Sequence, residues 1–159
     1  MNRKLFGGKE SDSITNPYEI KAKPTEYKSF TYKSKLEAQH AKFFDLLGID
    51  FRYEPQRFYF VDEVYLPDFK LWMPPNDIVR WIEVKGPMYT KARMKAILLC
   101  REVRGLVQIW SGGWGSQIIY NFEWITDTVK ISKSKQFDAA FRHWSREELK
   151  EAYEQARNV

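Results

Sequence analysis

Two short stretches constrain this chain more than any others: Tyr65-Leu66-Pro67-Asp68 and, downstream, Trp81-Ile82-Glu83-Val84-Lys85-Gly86. The second ends an apolar run that begins at Ile78, and Gly86-Pro87 stops it at once, so it reads as a mostly buried strand. Side chains alternate along a strand, which puts Glu83 and Lys85 on one face and Ile82 and Val84 on the other. The first stretch lies in a strand-like segment over 64–72. Pro67 within it cannot donate to a ladder and marks an edge or a bulge, an irregularity that re-aims side chains. The expectation is a small sheet whose neighbouring strands present two carboxylates and a lysine.

Glu-x-Lys by itself is a cheap pattern. Glu19-Ile20-Lys21, Glu26-Tyr27-Lys28 and Glu148-Leu149-Lys150 repeat it, and Asp68-Phe69-Lys70 is a near copy. Those copies sit in polar, charge-rich sequence, whereas Glu83-Val84-Lys85 has a strand behind it. The bland alternatives are an exposed edge-strand pair for Glu83 and Lys85 and a turn residue for Asp68. Two acidic oxygens held close repel each other, and a hard divalent cation between them resolves the conflict. A lysine beside that cation can hold a water near an anionic substrate, which suits metal-assisted phosphodiester hydrolysis.

A third carboxylate comes from a helix predicted over 34–47. Leu36, Phe43, Phe44 and Leu47 share one broad face, and Gly48 closes it. Ser34 and Glu37 have capping-box spacing, so Glu37 is either a cap or a site residue, and spacing does not decide between them.

Helix-borne Glu37, Pro67-Asp68 and Glu83-Val84-Lys85, in this order, resemble the PD-(D/E)XK nuclease superfamily. Within it, Lys33-Ser34-Lys35-Leu36-Glu37-Ala38, Tyr53-Glu54-Pro55, Tyr65-Leu66-Pro67-Asp68-Phe69 and Ile82-Glu83-Val84-Lys85-Gly86-Pro87 look like small phage and mobile-element nucleases. The layout is also similar to Holliday-junction resolvases and to the endonuclease subunit of some transposases. The resemblance covers about half the chain, roughly residues 31–112. It implies a metal-dependent DNA endonuclease acting in recombination, repair or processing, branched DNA included. Mg2+ would be the cofactor, with Mn2+ as a substitute. Asp68, Glu83 and the Val84 carbonyl would be ligands; Glu37, Asp68, Glu83 and Lys85 would be the catalytic set.

The implied fold is α/β with a restriction-endonuclease-like core: helix, three strands, helix, strand. Strands are expected over 49–54 and 57–60, then those bearing Asp68 and Glu83, then a helix over 90–103 and a strand over 106–110. The organisation that follows is a basic N-terminal arm over 1–29, a nuclease core over 30–115, and a C-terminal extension over 116–159 packed on the core. Within that extension 117–122 and 128–131 suit a hairpin or a continuation of the sheet. A short helix is expected over 137–144, and Ser145 opens a second one with capping-box spacing to Glu148.

The net charge of +5 favours an acidic partner without naming one, and the resemblance implies DNA. The candidates for backbone contact are Lys33 and Lys35 near the arm and Lys91, Arg93 and Lys95 after the catalytic strand. A lone Cys100, set among Ile97-Leu98-Leu99, excludes disulfides and thiolate zinc and reads as core. No run is long enough to span a membrane, and the start is too polar for a secretory signal, so an intracellular, cytoplasmic setting is expected. Cutting two strands symmetrically would call for a homodimer. A missing helix-turn-helix leaves room for a targeting partner protein. The rival readings are a partner-dependent transposase-type or restriction-like subunit and a non-catalytic nucleic-acid-binding module.

Overall fold

The structure is a computed structural model that describes residues 22–85, 90–135 and 141–159. The elements in chain order are β1 (Thr25–Tyr27), β2 (Phe30–Tyr32), α1 (Lys35–Leu46), β3 (Asp50–Tyr53), β4 (Phe58–Tyr59), β5 (Val64–Tyr65) and β6 (Phe69–Met73). They continue with β7 (Ile78–Lys85), α2 (Thr90–Val103), β8 (Leu106–Ser111), β9 (Ile118–Ile125), β10 (Thr128–Lys135) and α3 (Arg146–Ala156). The fold is mixed α/β, built on a six-stranded sheet ordered β10-β9-β8-β7-β6-β3. Among the described residues, only β7 and β8 run parallel. A parallel pair needs a crossover, and α2 supplies it.

Alternation along the strands divides the apolar residues between the two faces. Phe69, Leu71, Met73, Ile82, Val84, Trp110 and Ile119 pack with α1 and α3. Trp81, Val107, Ile109 and Phe122 pack with Ala92, Ala96, Leu99 and Cys100 of α2. Cys100 is fully buried, its Sγ donating to the carbonyls of Gly105 and Phe122, as its place in an apolar helix face leads one to expect.

Helix α1 starts and stops where its local chemistry dictates. The Ser34 hydroxyl accepts from the Glu37 amide, and Gly48 takes the left-handed conformation just past the end, at φ +67°. Its buried surface is broader than a single stripe and includes Ala38, Gln39, His40 and Ala41. The helix is covered on two sides, by the sheet and by α3. Gln39 Nε2 and Lys42 Nζ donate to the Arg157 and Asn158 carbonyls, which satisfies part of the C-terminal end of α3.

The segment over 64–72 is not one strand. It divides at Leu66 to Asp68: β5 pairs with β4 in a separate two-stranded sheet, and β6 enters the main sheet. Pro67 lacks the N–H that an unbroken ladder would need, so the chain changes sheets there. The expected strand over 57–60 correspondingly shrinks to Phe58–Tyr59 and stays out of the main sheet. Downstream, β9 and β10 form a hairpin that extends the sheet at β8.

At the N-terminal end, β1 and β2 form a hairpin in register Thr25↔Tyr32, so strand begins within the stretch expected as arm. Residues 1–21, the rest of that arm, lie outside the described residues. Half of the helix expected over 137–144, residues 137–140, also falls outside them; Phe141 to Trp144 make a single turn. Helix α3 opens with a full capping box between Ser145 and Glu148.

Candidate active site

Where β6 parts from β7, a side chain takes over from the ladder. The pairing of β6 with β7 begins at Phe69↔Ile82. Beyond it, the buried Asp68 uses Oδ2 to accept from the Val84 amide at 2.7 Å, a hydrogen bond that a continuing strand would otherwise have made. The Asp68 carbonyl accepts from Glu54 at 2.7 Å on the other side. Successive residues of a strand aim their N–H and C=O groups to opposite sides. The Lys85 carbonyl is taken by Gly112 on the β8 side, so Val84 turns both its amide and its carbonyl toward Asp68.

Glu83 stands beside this on β7, 4% exposed. Its Oε1 meets Lys85 Nζ at 2.6 Å, and its Oε2 accepts from the Tyr65 hydroxyl at 3.0 Å. Both oxygens are therefore oriented by named partners. Tyr65 comes from β5, so the short second sheet has a use in the site: it delivers the phenol that fixes Glu83.

Glu37 reaches the same region from the first turn of α1. In a closed capping box its carboxylate would accept from the Ser34 amide; instead it accepts from the Ser34 hydroxyl at 2.9 Å and from the Tyr53 hydroxyl. The cap is half formed, with the carboxylate on the Ser34 hydroxyl rather than on its amide. The charges of Glu83 and Glu37 both act on Asp68.

Electrostatics are strained at one residue. Burial first, then Glu83 and Glu37, push the Asp68 carboxyl well above the usual carboxylate range, against the Val84 amide and Lys85, which act the other way. Burial alone would lower the Lys85 ammonium, but Glu83, Asp68 and Glu37 outweigh it and the net shift is upward. The Tyr65 phenol is driven well above its ordinary range by burial and by Glu83, so it is a hydrogen-bond donor throughout the physiological range.

Among the described residues, no group of three or more His, Cys, Asp and Glu side chains converges on a point that could hold a metal ion. Asp68 and Glu83 form a two-carboxylate set, joined by the Val84 carbonyl on the same strand edge. Mg2+ keeps several waters and needs few protein oxygens, so this oxygen-only set fits it. A cation there would favour the ionised form of Asp68 that burial, Glu83 and Glu37 oppose.

The structure thus brings Glu37, Asp68, Glu83, Val84 and Lys85 to one end of the sheet. The residues proposed for DNA contact are more dispersed. Lys35, Lys91 and Arg93 are exposed, whereas Lys33 is paired with Glu54, and Lys95 with Glu63 at 3.1 Å. Two residues were not foreseen in this role, Tyr53 and Tyr65. The sequence signal was present, since each sits beside an acidic motif, but a tyrosine in an apolar run reads first as core.

No protein-family model matches this chain, and no match was found among the curated proteins or the solved structures.

Proposed function

We propose that the chain is a metal-dependent DNA endonuclease of the PD-(D/E)XK type. The observation that carries the reading is the buried Asp68–Glu83 pair, two carboxylates offset by the single ammonium of Lys85, whose Nζ lies on Glu83. The chain order α1, β3, β6, β7, α2, β8 supports a restriction-endonuclease-like core. It carries Glu37 on the first helix and the carboxylate pair at the second and third of these strands.

Asp68, Glu83 and the Val84 carbonyl would hold Mg2+, which when bound would acidify a water and draw charge from the phosphate. Lys85 orients the attacking water and offsets charge growing on the phosphoryl oxygens. Tyr65 keeps Glu83 in place during this, and Ser34 and Tyr53 keep Glu37 facing the site. Water oxygen bonds to phosphorus as the bond to the 3′ oxygen breaks, leaving a 5′-phosphate and a 3′-hydroxyl, the outcome the family resemblance implies. Recombination, repair or processing of branched DNA in a phage or mobile element is the setting that fits the same resemblance.

The test is cleavage of labelled linear, flapped, four-way and single-stranded DNA with Mg2+, by wild type and Lys85→Ala, with EDTA as control. Wild type should cut, EDTA should abolish cutting, and Lys85→Ala should cost at least roughly 100-fold. Binding without cleavage under Mg2+ or Mn2+ would instead favour a partner-dependent subunit or a binding module.

A further inference from the structure

One row of the sheet breaks a rule of strand pairing. Arg52 of β3, Lys70 of β6 and Trp81 of β7 stand directly opposite one another, and Trp72 follows Lys70 on the same face. Like charges directly opposite across an antiparallel pair destabilise it. Asp50 shares this face, opposite Trp72, yet neither Arg52 nor Lys70 makes an ion pair with any described residue.

The two cations are held by aromatic rings. Lys70 Nζ lies 5.0 Å from the centre of the Trp72 ring and 4.9 Å from that of Trp81; the Arg52 guanidinium lies 5.8 Å from Trp72. Phe58 braces Trp81 from the side at 5.2 Å. Side chains stacked in this way lose little further freedom when they bind an anion, and Arg52 remains exposed. A juxtaposition that opposes folding, while its charges are kept rigid and unneutralised, is what binding a polyanion would require.

The row lies beside the carboxylate pair. Asp68 precedes Lys70 by two residues on the same face, about 6.8 Å at the rise of a strand. Lys85 follows Glu83 by two residues in the opposite sense. The carboxylate pair therefore lies between a cation on one side and a cation pair on the other. That spacing is of the order of the separation between neighbouring phosphates along one strand of a duplex.

Resting on the nuclease reading, we infer that Arg52 and Lys70 bind a backbone phosphate of the DNA strand being cut, next to the scissile one. The two indoles hold the pair ready. The Asp68-Phe69-Lys70 near copy of the catalytic tripeptide would then be a phosphate clamp.

The experiment measures equilibrium binding of a labelled 30-mer duplex to full-length protein in EDTA, where nothing is cut, over a salt series. Lys70→Met keeps the aliphatic stem and removes the charge. It should weaken binding roughly tenfold and reduce the salt slope by about one, with a Tm close to that of wild type, since relief of the opposed charges offsets loss of the two ring contacts. Arg52→Gln should act alike and serves if Lys70→Met does not fold. Equal affinity and slope in a folded variant overturn the clamp while wild-type binding and cleavage stand. Failure of the wild type to bind or cut DNA overturns the nuclease reading itself.

Discussion

At the scale of residues, Asp68 has two tasks that pull apart. Its carboxylate closes the β7 edge by accepting from the Val84 amide, yet its charge is opposed by burial, Glu83 and Glu37. A carboxyl raised in the folded state keeps its proton longer than in the unfolded chain. Stability from this group is therefore present at low pH and is lost as pH rises from the ordinary carboxylate range through the raised value. Asp68→Asn keeps the acceptor and removes the charge. In EDTA at pH 8 it should be at least as stable as wild type by urea denaturation, without activity. Mg2+ should raise the Tm of wild type and leave this variant nearly unmoved. His40 runs the other way. It is fully buried, bonded to the Leu36 carbonyl at 2.7 Å and to Gln117 at 3.1 Å, and burial lowers its pKa to about 4. Acidification from pH 6.5 to 4 should remove roughly 3 kcal/mol of stability through this ring, with one histidine resonance titrating near pH 4 by NMR.

At the scale of elements, boundaries set by local chemistry were the readable ones. Helix α1 is announced by Ser34 and Gly48, and β7 by an apolar run stopped at Gly86-Pro87. The division between β5 and β6 was half readable: Pro67 signalled an interruption, but no local signal says that β5 departs to pair with β4 across the loop 60–63. The β9–β10 turn carries a further cost. Thr126 and Asp127 both have positive φ, +49° and +58°, and a β-branched residue is poorly suited to that region. Replacing them with Asn-Gly should raise stability by about 1 kcal/mol, about 3 °C in a thermal melt of this size of domain.

At the scale of the whole molecule, α3 holds the face of α1 that the sheet leaves uncovered. Leu149, Ala152, Tyr153 and Ala156 are buried in the same core as Phe43 and Phe44. Trp114, in the loop between β8 and β9, stacks on Tyr153 at 4.1 Å and donates to its carbonyl at 3.2 Å. A chain ending before Ser145 should lose cooperative unfolding and bind a hydrophobic dye, because Phe43 and Trp114 would be uncovered. No helix among the described residues is long and apolar enough to cross a membrane. Alternation within one strand, a hydroxyl before a helix and a glycine after it act over a few residues, so the chain by itself determined that Glu83 and Lys85 share a face and where α1 begins. Which groups meet across strands is a matter of register between segments far apart in the chain. Only the tertiary structure decided that Asp68 would cap Val84, that Tyr65 would orient Glu83, and that Lys70 would face Arg52, because those contacts exist only once the sheet has closed.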